Sequence, residues 1–172
     1  MQCRFIPIAA LFVVGIFLVT AGCVRENPED LISPILSPAG PQGSSNATMV
    51  AFVREAVAFA RVNGRETALA EFSNRNGSFF RGDLYIYAYD FNGTTIAHPV
   101  NPEKIGVNRL NERDAKGNRF IRLLQEQALN GSGFARYYYL NPVHNNTVEA
   151  KLGFVMKVDD TWWLGSGIYE TE

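Results

Sequence analysis

His98, Lys151 and two pairs of tyrosines, Tyr85 with Tyr87 and Tyr137 with Tyr139, are the side chains best suited to hold a small anion or polar metabolite. Imidazole, ammonium and phenol groups all donate hydrogen bonds, and a bond to a charged acceptor is about twice as strong as a neutral one. His98 precedes Pro99, which favours extended backbone at His98 and aims its ring at the loop that follows. A lone histidine more often serves the surface or the structure, so the residue by itself leaves both roles open. Lys151 is followed by Leu152-Gly153-Phe154-Val155, surroundings in which a partly desolvated ammonium seeks an anion. A solvated lysine at a strand end is the equal alternative. Within each tyrosine pair the spacing of two puts both hydroxyls on one face of a strand, although many buried tyrosines only pack. Trp162 and Trp163 are neighbours and must face opposite ways; Trp162 is placed with the lining residues. Asn108 either offers its amide to a carboxylate or closes a turn. Neither His98 nor Lys151 is expected to fill the core.

Other chemistries find little support. Gly165-Ser166-Gly167 is not a nucleophile elbow, and no glycine-rich stretch forms a phosphate loop. No catalytic set, cofactor motif or metal-ligand cluster emerges: the two histidines, His98 and His144, stand apart, and Asp159-Asp160 reads as a hairpin turn rather than a calcium loop. The charge balance, 16 basic against 17 acidic residues, suggests no nucleic-acid partner.

The elements that must position these groups follow from the apolar periods. Val50, Val53 and Val57, widened by Phe52, Ala56, Phe59 and Ala60, predict a helix capped by Asn46 or Thr48. Asn63-Gly64 interrupts it, and a second helical piece through Ala68, Leu69 and Phe72 ends at Ser73-Asn74-Arg75-Asn76-Gly77. From Leu84 the period becomes two, and Asn92-Gly93 followed by Thr94 to His98 signals a hairpin. Asp114 is expected to cap a helix with Phe120, Leu123 and Leu124 on one face, stopped by Gly131-Ser132-Gly133. Three strands complete the chain: Phe134 to Leu140, Val148 to Val158 and Trp163 to Tyr169. The order α, α, β, β, α, β, β, β predicts an α+β fold: a PAS-like five-stranded antiparallel sheet with long N-terminal helices and a helix inserted between strands 2 and 3. That insertion leaves room for a cavity beneath the loop from Pro99 to Asn111.

The segments Leu84-Tyr85-Ile86-Tyr87-Ala88-Tyr89-Asp90, Asn92-Gly93-Thr94, Ala97-His98-Pro99, Ile105-Gly106 and Asp114-Ala115-Lys116-Gly117 resemble the Cache sensor family. Lys151-Leu152-Gly153-Phe154-Val155, Trp162-Trp163 and Gly165-Ser166-Gly167-Ile168-Tyr169 match its single-module, type 2 pattern in the same order, so the resemblance runs from about Met49 to Tyr169. It implies an extracellular, non-catalytic domain that binds a small metabolite, commonly a short carboxylate, on one side of the sheet, as in chemoreceptors and kinases. The Ala-His-Pro match strengthens the case for His98 as a ligand contact.

The chain opens with Arg4, an apolar run from Phe5 to Val19, and Thr20-Ala21-Gly22-Cys23. The run is short for a spanning helix and reads as a signal peptide, residues 1–22. The motif before Cys23 resembles a prokaryotic lipobox, so Cys23 is expected to become a lipidated N-terminus at the extracellular face of the membrane. Loss of Arg4 then leaves 15 basic and 17 acidic residues, a net charge of −2. With Cys3 removed and Cys23 lipidated, no disulfide is expected. Residues 23–46, with Pro28, Pro34, Pro38 and Pro41, form the expected tether, with docking of Leu31, Ile32, Ile35 and Leu36 as the alternative; residues 47–172 form the single sensor domain. No second apolar span precedes Glu172, so a membrane-spanning receptor or transporter is the expected partner. Sequons at Asn46, Asn76, Asn92, Asn130 and Asn145, beside a lipobox, suggest an archaeal cell, though Asn-Gly turns explain three of them. The competing reading is a structural surface protein whose pocket is filled by its own side chains.

Overall fold

The computed structural model describes residues 44–141 and 144–170, so the leader, Cys23 and most of the tether lie outside the described residues. Helix α1, Asn46–Asn63, buries Met49, Phe52, Val53, Ala56, Val57 and Ala60 along one stripe. Its cap is Ser45, whose hydroxyl accepts the Thr48 amide at 3.1 Å, one position before the expected Asn46. Gly64, at φ 81°, ends α1 and opens α2, Arg65–Phe72, a conformation that costs glycine little. Phe72 then meets Phe79 edge-on at 4.9 Å.

A short hairpin, β1 Phe80–Arg81 with β2 Leu84–Tyr85, leads into a five-stranded antiparallel sheet. Its strands are β3 Tyr87–Asp90, β4 Thr95–Ala97, β5 Ser132–Asn141, β6 Thr147–Lys157 and β7 Trp162–Tyr169. They lie in the order β4-β3-β7-β6-β5, with the last strand in the centre. The β4-to-β5 connection therefore crosses from one sheet edge to the other and carries the loop after Ala97 and helix α3, Phe120–Leu129, across one face. The expected α+β, PAS-like arrangement is the one observed.

The sheet has a core on each side. One joins α1 and α2 to Ile86, Ala88, Phe154, Trp162 and Leu164. The other gathers Tyr85, Tyr87, Tyr89, Tyr137, Val155 and Trp163 under Phe120, Ile121, Leu124 and Ala128 of the α3 region. Asp114 does not cap α3, whose preceding residue, Arg119, makes no side-chain cap bond. Its carboxylate instead accepts the Lys116, Asn118 and Tyr138 amides and fixes the approach to the helix against β5. All five sequon asparagines are exposed.

Candidate functional site

Strand register decides which side chains meet under the inserted segment. Opposite partners share a face, and Tyr87 pairs with Gly165, Tyr89 with Trp163, Tyr137 with Lys151, and Lys151 with Tyr169. Between these large groups the same face carries Gly153, Gly165 and Gly167. A Cβ on Gly153 would lie 3.0 Å from both Leu124 and Tyr137 and 3.1 Å from the Tyr87 hydroxyl, and one on Gly167 would lie 2.8 Å from Lys151 Cε. These glycines form a floor on which the rings and the lysine stem rest.

The roof is tied to β4. Thr95 donates its amide to the Val107 carbonyl at 3.0 Å, Gly106 to Thr95 at 2.8 Å and Arg109 to Gly93 at 2.8 Å. This pairing brings Arg109 inside, 2% exposed, where its Nη1 donates to Tyr89 Oη at 2.6 Å and its Nη2 to Tyr139 Oη at 3.3 Å. The remaining edge of the guanidinium grips Glu112: Nε donates to Oε2 at 2.5 Å and Nη2 to Oε1 at 2.9 Å. Burial works against the Arg109 charge, but Glu112 and the Tyr89 and Tyr139 hydroxyls raise its pKa above the ordinary value, and Arg109 in turn holds Glu112 below the usual carboxylate range.

His98 is 3% exposed and its Nδ1 accepts the Asn101 amide at 3.1 Å, which leaves the ring proton on Nε2. Its ring lies 5.4 Å from that of Tyr85 and 6.4 Å from that of Tyr87. Burial, followed by the Arg109, Lys151 and Lys104 charges, pushes its pKa down to about 3, so the imidazole stays neutral. Asn101 also donates its side-chain amide to Tyr139 Oη at 2.9 Å.

Lys151 lies inside β6, not at its end, and is fully buried. Nζ donates to Tyr85 Oη at 3.0 Å and sits 4.7 Å from the Tyr85 ring centroid and 4.4 Å from that of Tyr169. Among the described residues it forms no ion pair. Burial pushes its pKa down to about 7 against the pull of Asp83. The expectation that His98 and Lys151 stay out of the core is thus corrected: strand register buries Lys151, and His98, directly after β4, lies buried against Tyr85 and Tyr87 beneath the roof.

The structure brings together Tyr85, Tyr87, His98, Tyr137 and Tyr139 around an inner cavity of about 10 Å³, with Lys151 bonded to one of its walls. Trp162 and Asn108 do not join them. Trp162 faces α1 and α2 and donates Nε1 to Asp159 at 2.9 Å, whereas Trp163 takes the pocket side and stacks on Tyr89 at 4.9 Å. Adjacent strand residues alternate, and the pairing of Trp163 with Tyr89 sets the phase. Asn108 spends its amide on the Asn92 carbonyl at 2.8 Å and its oxygen on the Leu110 amide, as a turn residue does. Sequence reasoning missed Arg109, Glu112, Tyr89 and Tyr169. Tyr89 shares the parity of Tyr85 and Tyr87, and Arg109, in the loop expected to roof the cavity, forms an i, i+3 charge pair with Glu112, one residue beyond that loop.

A second, outer cavity of about 290 Å³ adjoins the first. Phe120 and Tyr139 line both, and Asn101, Lys104, Glu112, Arg113 and Asp114 line the outer one. No group of three or more His, Cys, Asp and Glu side chains suited to a metal ion occurs among the described residues. No helix of the described residues is long and apolar enough to cross a membrane.

Residues 49–172 match the family model for single Cache domain 2. The sensor histidine kinase MctS of Rhizobium johnstonii (strain DSM 114642 / LMG 32736 / 3841) is 33% identical over 88 residues, which are 51% of this chain and 19% of that protein. The chain thus spans only a small part of that relative's length. Among solved structures, a methyl-accepting chemotaxis protein from Vibrio parahaemolyticus RIMD 2210633 superposes with a TM-score of 0.62 at 23% identity, over 72% of this chain and 86% of that one. A periplasmic sensor domain of a chemotaxis protein gives 0.58 at 24% identity, over 71% and 88%. A Cache chemosensory domain described for carboxylic acid recognition gives 0.54 at 24% identity, over 71% and 84%. These likenesses establish the shared fold.

Proposed function

This chain belongs to the single Cache domain 2 family, and on that premise we propose that it is a lipid-anchored extracellular sensor or solute-binding domain for a short carboxylate. The observation that carries the ligand class is electrostatic. The inner site holds a buried guanidinium and a fully buried ammonium, and the guanidinium's Glu112 is the one carboxylate in an ion pair with either group among the described residues. Among the described residues Lys151 is held by a phenol and aromatic faces alone, so it has lost water without gaining an anion, and a ligand carboxylate would offset that cost. Tyr85, Tyr89 and Tyr139 supply hydroxyls, and His98 supplies a neutral Nε2 donor. The recognition of carboxylic acids named for one structural neighbour agrees with this chemistry. Lipidation of Cys23 would hold the domain at the membrane surface, where it acts with a membrane-spanning receptor or transporter.

A second reading has its own support. An inner cavity of about 10 Å³ is the size of a single water, so the pocket as it stands is packed by its own side chains, as in a structural surface protein. Thermal shift of the full chain with acetate, propionate, pyruvate and lactate separates the two. Stabilisation that grows with ligand concentration and is lost in Lys151→Met supports binding; an unmoved melting temperature with all four favours the filled pocket.

A further inference from the structure

The most heavily engaged face of Arg109 is turned not to a ligand but to Glu112, and that pair stands at the boundary between the two cavities. The guanidinium is 2% exposed and lines the inner cavity, while the Glu112 side chain is 35% exposed and lines the outer one. Glu112 Oε2 and Oε1 accept from Nε and Nη2, the two-point geometry by which a guanidinium takes up any carboxylate. The two residues lie three apart in a loop, between a point tied to the β3–β4 turn by the Arg109 amide on the Gly93 carbonyl and the turn that Asp114 closes. Tyr89 and Tyr139 hold the guanidinium from the other side, so they fix it whether or not Glu112 stays.

Resting on the carboxylate-binding reading above, we propose that Glu112 is a tethered stand-in for the ligand: a short carboxylate enters through the outer cavity and exchanges with Glu112 on Arg109. The exchange replaces one ion pair by another, so Arg109 is never left buried and unpaired. Glu112, already partly exposed, moves into the outer cavity beside Lys104 and Arg113, which line that space. Glu112 therefore sets the affinity threshold of the site as an internal competitor.

The test is calorimetric titration of the full chain with acetate, in wild type, Glu112→Gln and Glu112→Ala. Loss of a charge-assisted competitor predicts acetate binding to Glu112→Gln about ten- to a hundredfold tighter than to wild type. In Glu112→Ala, Arg109 loses its partner and the melting temperature falls; acetate then restores it, whereas equal chloride does not. Acetate binding by folded Glu112→Gln that is equal to or weaker than wild type overturns the exchange and makes Glu112 a fixed support of Arg109, with the ligand site intact. No acetate binding by any of the three proteins overturns the carboxylate reading itself, and the exchange with it.

Discussion

Raising the pH from about 7 to about 9 is expected to weaken acetate binding about fiftyfold, through Lys151 alone. Burial pushes the Lys151 ammonium down to about 7 in the free domain, so half the molecules carry the charge at neutral pH. At about pH 9 roughly one in a hundred does, and each further unit costs about tenfold until the bound-state pKa is reached. No other group of the inner site titrates in that window. His98 is pushed down to about 3, Arg109 is raised, and burial raises Tyr85, Tyr87, Tyr89, Tyr137 and Tyr139. The free domain should respond with the opposite sign. Between about 7 and the ordinary 10.5 its native state holds fewer protons than the unfolded chain, so folding stability rises with pH, by about 1.4 kcal/mol per unit. The assay is isothermal titration of acetate across this range in two buffers of different ionisation enthalpy, which gives affinity and protons taken up together. Near pH 9 uptake should approach one proton per acetate, and Lys151→Met should abolish both the uptake and the slope. Affinity that stays flat from about 7 to about 9, with no proton uptake in wild type, would refute the role given to the buried ammonium.

His98 should govern acid stability. Its native pKa of about 3 lies below the ordinary 6.5, so its contribution is complete above about 6.5 and is lost as pH falls toward 3; urea unfolding at several pH values should show a slope there of about 1.4 kcal/mol per unit that His98→Gln lacks. Gly165→Ala places a Cβ 2.6 Å from Val155 Cγ1 and 2.7 Å from the Phe154 carbonyl, and denaturant midpoints should report a loss of about 1–3 kcal/mol. Gly93→Ala combines φ 88° with a Cβ 2.6 Å from Leu110 Cβ, so it should loosen the roof and accelerate amide exchange at Arg109. For the anchor, mass spectrometry of the membrane fraction should find lipid on Cys23, and Cys23→Ser should release the protein; unmodified Cys23 on a soluble wild-type product would remove the lipoprotein reading.

Local signals fixed most of the elements. The α1 stripe, the Asn92-Gly93 hairpin and the alternation from Leu84 onward each report a period that a short window contains, and the order of elements then implies an antiparallel sheet with a crossover. Tyr85, Tyr87, Tyr137 and Tyr139 were legible as one-face pairs because strand parity is a local property. The phase of that parity is not. Whether Trp162 or Trp163 meets the pocket depends on which strand lies beside β7, and the register of Trp163 against Tyr89 settles it. The same holds for Lys151, whose sequence neighbours fit an exposed strand end as well as a core. Pairing with Tyr137 on one side and Tyr169 on the other buries it completely. Arg109 and Glu112 show the limit most clearly, since their spacing is visible in the chain but their place is not. Only a loop bonded along β4 turns the guanidinium inward and leaves its carboxylate partner at the boundary with the outer cavity, because burial is a property of what arrives from elsewhere in the chain.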